Sequence, residues 1–417
     1  MRLRHTLLGL LAALCGMSSA TAEDYAQIHG RMVAAWQRDD MPGLAAAAHE
    51  GLALRPDYPP LLYNLALAEA RLQRPAAALD LLERIAAMGV SLPADEDTFP
   101  ALAAEDRFAQ IAARLSANAQ PAGAAVTVLA ATGETDFLPE GIALDPASGA
   151  LYVGSIRQGR ILRFHPEHGR SVFAADDPQH LWGVFGMAVA DGLLWVATSA
   201  VAEAAAAPPE ARGRAAINAY RLDDGRRVVH CPVDGDAVFG DLLWDDGGVW
   251  VSDSTGGVLW LEPEHCRFTS RVPRGAMGSP QGLAPAGDTH LFVADYRGGL
   301  FRMRKSDGQI ERLAVPRDVT VYGVDGLYRA GDWLLAVQNG FTPHRVIALR
   351  LARDGKRVTA AEVLAAALPE FDEPTLGVVH GGRFLFVANA GWYHYADGAT
   401  PSTAAPLVMS VPLPAGR

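Results

Sequence analysis

The segment Gly282-Leu-Ala-Pro-Ala-Gly-Asp-Thr-His-Leu-Phe-Val-Ala-Asp295 decides the fold of this 417-residue chain. It contains a strand, a tight turn with Gly and Asp, and a strongly apolar second strand. The same pattern recurs about every 40 to 55 residues and predicts a mainly β fold, a six-bladed β-propeller around a channel. A β-sandwich also has many short strands but would not repeat one unit six times. The units begin at Gly141, Gly186, Asp241, Gly282, Gly326 and Gly377.

A third strand and a ring closure complete the predicted propeller. Val126–Ala131 precedes the first unit, and we expect it to pair with Leu407–Val411 of the last blade. Such pairing closes the ring and removes exposed sheet edges. Predicted third strands lie at Gly159–Arg163, Ala215–Leu222, Val258–Leu261, Gly299–Met303 and Arg345–Leu351.

The chain before the propeller is predicted to be an α-helical domain. Residues 23–120 are rich in Ala, Leu, Glu, Gln and Arg, and their apolar residues recur at helical spacing. Two helix pairs separated by Pro56 and Pro59 resemble tetratricopeptide (TPR) repeats, and Phe99–Leu115 would cap them. This TPR-like domain would either dock a protein partner or pack as an appendage against the propeller, which occupies residues 121–417.

The first 22 residues are predicted to be a secretory signal peptide. Arg2 and Arg4 precede an apolar stretch, and Ala20 and Ala22 suit a signal peptidase that cleaves after Ala22. We therefore expect a periplasmic or secreted protein. No other uncharged apolar run approaches ~18 residues, so no membrane span is expected.

Charge and cysteine usage restrict the partners and the covalent structure. The chain has 47 acidic against 36 Lys and Arg residues, which disfavours nucleic acid as a partner. After removal of the signal peptide, Cys231 and Cys266 are the remaining cysteines. An exported pair could form a disulfide. However, the predicted strands place the two residues at opposite ends of neighbouring outer strands, so we expect two free thiols.

Residues at the start of the inner strands are the candidate functional residues, because they converge at one end of a propeller channel. Three of the six supply oxygen: Glu140, Gln281 and Asp325. Two carboxylates and an amide carbonyl form a hard oxygen site for a divalent cation such as Ca²⁺, Mg²⁺ or Mn²⁺. The six positions are Glu140, Phe185, Gly240, Gln281, Asp325 and Leu376.

The segments around these three donors are similar to the metal-binding segments of the gluconolactonase/regucalcin (SMP-30) family. They read Leu138-Pro139-Glu140-Gly141, Ser279-Pro280-Gln281-Gly282-Leu283 and Val324-Asp325-Gly326-Leu327. The resemblance implies a six-bladed propeller that hydrolyses sugar lactones with a divalent cation (Ca, Mg, Mn or Zn), and Asp325 as ligand and catalytic base. The chain departs from the family at Gln281, where the family has Asn, and at Gly240, where the family often has a substrate-contacting Asn.

Further polar residues are predicted to bind a small polar molecule in the channel: Asp241, Arg157, Tyr322, Asn339 and Arg345. The chain lacks G-x-S-x-G, H-E-x-x-H and P-loop motifs, which argues against serine hydrolases, zincins and nucleotide enzymes. Two other functions stay open. One is a non-catalytic ligand- or protein-binding propeller; the other is a lyase of the virginiamycin-inactivating type, for which no clear His/Glu pair is evident.

Overall fold

A computed structural model of the chain describes residues 20–123, 126–175, 177–396, 399–400 and 402–415, with side chains from residue 25 onwards. Residues 1–19, which hold most of the predicted signal peptide, lie outside this part. None of the described helices is both long enough and apolar enough to cross a membrane.

The N-terminal region is helical, as predicted. Asp40 caps the second helix by accepting a hydrogen bond from the Gly43 amide at 2.9 Å. Pro59 and Pro75 occupy the first turns of the next two helices, where a missing N–H costs nothing. The helices are α1 (Ala20–Gln37), α2 (Met41–Leu54), α3 (Pro59–Arg71), α4 (Pro75–Ala87) and α5 (Asp106–Asn118).

The remainder forms six antiparallel sheets in the part of the chain that the structure describes, and the predicted six-bladed propeller is confirmed. Two short strands come first, β1 (Ala122–Gly123) and β2 (Thr127–Ala131). Blades one to three contain β3 (Pro139–Leu144), β4 (Leu151–Ser155), β5 (Arg160–His165), β6 (Gly169–Ala174), β7 (Gly183–Ala190), β8 (Leu193–Ser199), β9 (Ala215–Arg221), β10 (Arg227–Pro232), β11 (Phe239–Asp245), β12 (Gly248–Asp253), β13 (Gly257–Glu262) and β14 (Arg267–Val272). Blades four to six contain β15 (Pro280–Pro285), β16 (His290–Asp295), β17 (Gly299–Arg304), β18 (Ile310–Arg312), β19 (Val324–Ala330), β20 (Trp333–Gln338), β21 (Arg345–Leu351), β22 (Val358–Ala366), β23 (Gly377–His380), β24 (Arg383–Val387) and β25 (Leu407–Pro412).

The ring closes as predicted. Strand β2 pairs antiparallel with β25, with Thr127 opposite Ser410 and Ala131 opposite Leu407. A strand that the sequence did not suggest, β1, pairs with the outer strand β22 of blade five. The segment that leaves the helices is therefore bound to blade five before it reaches blade six.

The two cysteines form a disulfide, so the prediction of free thiols was wrong. The Cα atoms of Cys231 and Cys266 are 5.0 Å apart. The prediction placed the two strand ends on opposite faces of the ring. Neighbouring strands in a sheet rotate by about 20–25°, so three pairings turn an outer strand by roughly 60–75° relative to the inner strand. One end of β10 therefore meets the turn before β14 in the next blade.

The helical region packs against blades four and five. Arg345 on β21 is buried and donates hydrogen bonds to the carbonyl oxygens of Met88 and Gly89, beyond the end of α4, at 2.8 and 2.9 Å. Tyr322 donates its hydroxyl to the Pro56 carbonyl at 2.8 Å. These contacts favour the packing role of the helices, and docking of a protein partner stays a prediction.

Candidate functional site

A β-bulge at the start of five inner strands positions the candidate residues. In blades one to five the pairing register shifts over the first two or three residues of the inner strand. Bulges of this kind re-aim side chains at the rims of closed sheets. Glycine is required directly after Glu140, because a Cβ on Gly141 would lie 1.9 Å from the Phe185 carbonyl oxygen of the neighbouring blade. A Cβ on Gly282 would likewise lie 2.2 Å from the Leu327 nitrogen.

Glu140 is a buried carboxylate at the start of blade one. Its Oε2 accepts a hydrogen bond from the indole Nε1 of Trp392 at 2.8 Å. Burial raises the pKa of Glu140 well above its usual value, and the neighbouring carboxylates of Asp325, Glu373 and Asp241 raise it further. The Trp392 hydrogen bond opposes this shift, and the three neighbouring carboxylates crowd Glu140 with negative charge.

Asp325 is the corresponding buried carboxylate in blade five. Its Oδ2 accepts a hydrogen bond from Nδ2 of Asn339 at 2.9 Å, and Asn339 also donates to the Pro374 carbonyl. Burial raises the pKa of Asp325 to about 7, with a further contribution from Glu373, while the Asn339 hydrogen bond lowers it. Asn339 was expected to bind a ligand; in the structure it orients Asp325.

Gln281 lies between blades three and four. Its Nε2 donates to the hydroxyl oxygens of Ser254 and Ser279, both at 3.1 Å. Its Oε1 lies 2.5 Å from the position that a Cβ on Gly240 would occupy. The longer side chain at 281 and the missing side chain at 240 are therefore complementary, because any residue with a Cβ at 240 would displace the Gln281 oxygen.

Asp241 is buried one residue further along blade three. Its Oδ1 accepts from the Leu242 amide at 2.8 Å and its Oδ2 accepts from the Leu283 amide at 3.4 Å. Burial raises the pKa of Asp241 to about 7, these two amides lower it, and Asp325 raises it. Asp241 therefore connects blades three and four and adds to the electrostatic coupling with Asp325.

The other three predicted ligand-binding residues have contacts away from these carboxylates. Tyr322 and Arg345 take part in the contact with the helices, as described above. Arg157 pairs with Asp136 at 3.2 Å and lies 5.7 Å from the ring centre of Tyr395. The helical packing that engages Tyr322 and Arg345 joins distant parts of the chain, which strand patterns do not reveal.

Tyr328 belongs to the same cluster but was not predicted. It is half-buried on β19, and its hydroxyl oxygen accepts a hydrogen bond from the Gly377 amide at 2.7 Å. Burial raises the pKa of Tyr328, and the charges of Asp241, Asp325 and Glu140 raise it further. A tyrosine within an apolar strand carries no local signal of function, so only its neighbours in space reveal it.

Carboxylate and amide oxygens, which Glu140, Asp325 and Gln281 supply, are the kind of ligand that a hard divalent cation prefers. Hydrogen bonds hold one atom of each side chain. Trp392 binds Oε2 of Glu140, Asn339 binds Oδ2 of Asp325, and Ser254 binds the amide nitrogen of Gln281. In the described part of the chain, Glu140 Oε1, Asp325 Oδ1 and Gln281 Oε1 make no hydrogen bond of their own. Outer partners of this kind are typical of metal ligands. Among the described residues, no group of three or more His, Cys, Asp or Glu side chains is arranged to hold a metal.

No protein-family model and no curated protein sequence matches the chain. Similar solved structures include a luciferin-regenerating enzyme (TM-score 0.48, 14% identity, covering 70% of this chain and 96% of that one). They also include a virginiamycin B lyase from Staphylococcus aureus (0.46, 14%, 70% and 99%) and a gluconolactonase from Xanthomonas campestris (0.44, 15%, 71% and 97%). At these identities the similarity concerns the fold.

Proposed function

We propose that the channel binds one divalent cation and hydrolyses a lactone or a related ester in an exported protein. The observation that carries this proposal is the set of crowded, buried carboxylates, Glu140, Asp241 and Asp325, at the inner-strand starts. The charged groups that contribute most to the pKa shift of Glu140 are all carboxylates. Such a cluster needs either protons or a cation to offset its charge.

Glu140, Gln281 and Asp325 would hold the cation, and water would complete its shell. A cation bound there would polarise the ester carbonyl and lower the pKa of a nearby water. Trp392 and Asn339 fix the direction of the two carboxylates, so little orientation remains to be lost when a ligand binds.

Asp325 is the proposed catalytic base. Its carboxylate, which Asn339 holds in a fixed direction, can accept a proton from the attacking water. As the water oxygen bonds to the carbonyl carbon, its proton passes to Asp325. When the ring C–O bond breaks, the same proton passes to the departing alkoxide, which yields the open hydroxy acid and restores the carboxylate.

The test combines calorimetry with an activity assay. Ca²⁺, Mg²⁺, Mn²⁺ and Zn²⁺ are titrated separately into chelator-treated wild type, Asp325→Ala and Asp332→Ala. Asp332 is an exposed matched control at the other end of the same strand pair. Hydrolysis of glucono-1,5-lactone is followed by acid release.

We expect wild type and Asp332→Ala to bind one cation and release acid, and Asp325→Ala to do neither. If no cation binds wild type more tightly than Asp325→Ala, the proposal fails and a non-catalytic ligand-binding propeller takes its place. The export proposal is tested separately by N-terminal sequencing of secreted material, which should begin at Glu23.

A further inference from the structure

A cavity lies at the opposite end of the ring from Glu140 and Asp325. It surrounds the turn between β11 and β12 and has a volume of about 510 Å³. Glu140 and Asp325 lie at the starts of their inner strands, whereas Trp244 in the cavity lies near the end of β11. Ligand sites typically span about 300–1,000 Å³ and are lined by aromatic side chains with a few polar groups, so this cavity has a suitable size.

Two pairs of tryptophans form the aromatic part of this cavity. Trp244 and Trp260 line it and are half-buried. Trp195 also lines the cavity and stacks on Trp244, with ring centres 4.6 Å apart, and Trp250 is the cross-strand neighbour of Trp260, with ring centres 4.7 Å apart. Trp195 and Trp250 are buried and restrict the movement of the two outer rings. Half of the eight tryptophans of the chain are thus placed around one turn.

The two buried indoles are costly for a structural core. Neither Trp195 Nε1 nor Trp250 Nε1 has an acceptor in the described chain. A buried donor without a partner costs free energy that an aliphatic or phenyl side chain would avoid. Packing alone therefore does not account for tryptophan at these positions, whereas support of a flat outer ring does.

Gly248 allows Trp260 to lie flat against the sheet. A Cβ at this position would be 2.2 Å from Trp260 Cζ2 and 2.4 Å from Cη2. Any other residue at 248 would push the ring outwards. The glycine therefore keeps the indole against the strand at the edge of the cavity.

The polar part of the cavity carries both signs of charge. Glu262 forms an ion pair with Arg267, and Glu264, Asp246 and Arg271 lie around them. A rim of mixed charge does not select one kind of ion. It suits hydroxyl groups, because a hydroxyl can donate to a carboxylate and accept from a guanidinium.

From the paired tryptophans and the rim of mixed charge we propose that the cavity is a saccharide-binding site, separate from the channel. The apolar C–H faces of two pyranose rings of one chain pack on Trp244 and Trp260, and their hydroxyls bind the charged rim. The site holds a carbohydrate chain against the outer end of blade three and takes no part in hydrolysis.

The test is calorimetric titration of the chelator-treated full chain with maltotetraose, cellotetraose and tetra-N-acetylchitotetraose. We expect at least one to bind with Kd of about 1 mM or tighter. Trp260→Ala and Trp244→Ala should each weaken this binding at least tenfold. Trp333→Ala is the matched control, because Trp333 is another half-buried tryptophan beside a β-turn, on blade five.

Asp325→Asn should bind the saccharide as wild type does, so that failure of the channel proposal and failure of this one are distinguishable. Circular dichroism and urea denaturation check that the tryptophan variants are folded. The inference is overturned if none of the three saccharides binds wild type. It is also overturned if folded Trp260→Ala and Trp244→Ala both bind as tightly as Trp333→Ala.

Discussion

The substitution Asp325→Asn should stabilise the cation-free protein, although it removes the proposed catalytic base. In the cation-free protein the pKa of Asp325 is raised from 3.8 to about 7, mainly by burial. Stability linked to a raised carboxyl pKa is present below the unfolded value and is lost as pH rises through about 7. Above pH 7 the ionised group therefore destabilises the fold, and a neutral amide does not.

The magnitude follows from the pKa and from one hydrogen bond. A rise from 3.8 to about 7 corresponds to roughly 4 kcal/mol in the free energy of unfolding at pH 8 or higher. The Asn339 hydrogen bond is weaker to an amide than to a carboxylate, which subtracts about 1 kcal/mol. We expect Asp325→Asn to be more stable than wild type by about 2–3 kcal/mol at pH 8 with chelator, and equal to it near pH 4.

Urea denaturation followed by tryptophan fluorescence measures this difference, with Asp332→Asn as the control. A cation at about 100 times its Kd adds about 2.7 kcal/mol to a protein that binds it, so adding cation at pH 8 should bring wild type level with the variant. Lower stability of Asp325→Asn at pH 8 with chelator would refute this electrostatic reasoning, since Asp325 would then be ionised and well stabilised without a cation.

Three further changes test other contacts. Gly240→Ala should weaken cation binding about tenfold, because its Cβ would lie 2.5 Å from the Gln281 oxygen and would displace the end of that side chain. Unchanged affinity in calorimetry would exclude Gln281 as a ligand. Replacing Cys231 and Cys266 by Ser should lower the free energy of unfolding by about 2–4 kcal/mol, and unreduced wild type should show no free thiol from this pair in denaturant. Arg345→Met removes the buried donor to the end of α4, so hydrogen exchange in residues 75–90 should accelerate at least tenfold, and protection equal to wild type would mean that this contact contributes little.

The helical region and the channel are structurally connected. Tyr322 and Arg345, which contact the helices, belong to loops or strands of blade five, and Asn339 and Asp325 lie on the same blade. A helix rearrangement would therefore act first on the blade that carries the proposed base.

Much of the fold could be read from the sequence, because its signals are local. Alternating apolar residues, tight turns and a repeated glycine define each blade within about 15 residues, and the six repeats identify the ring. The same repeats identify Glu140, Gln281 and Asp325 as inner-strand starts. These predictions need only the periodicity of a strand and the closure of a propeller.

Tertiary structure alone decided which side chains contact Glu140, Gln281 and Asp325. Trp392 reaches Glu140 across 252 positions of sequence, and the space over Gly240 is filled by Gln281 of the next blade. Blade twist brings the cysteines together, and the docked helices engage Arg345. Strand patterns specify which face a side chain occupies, but the distance between side chains on different blades depends on twist and packing, which are properties of the closed ring.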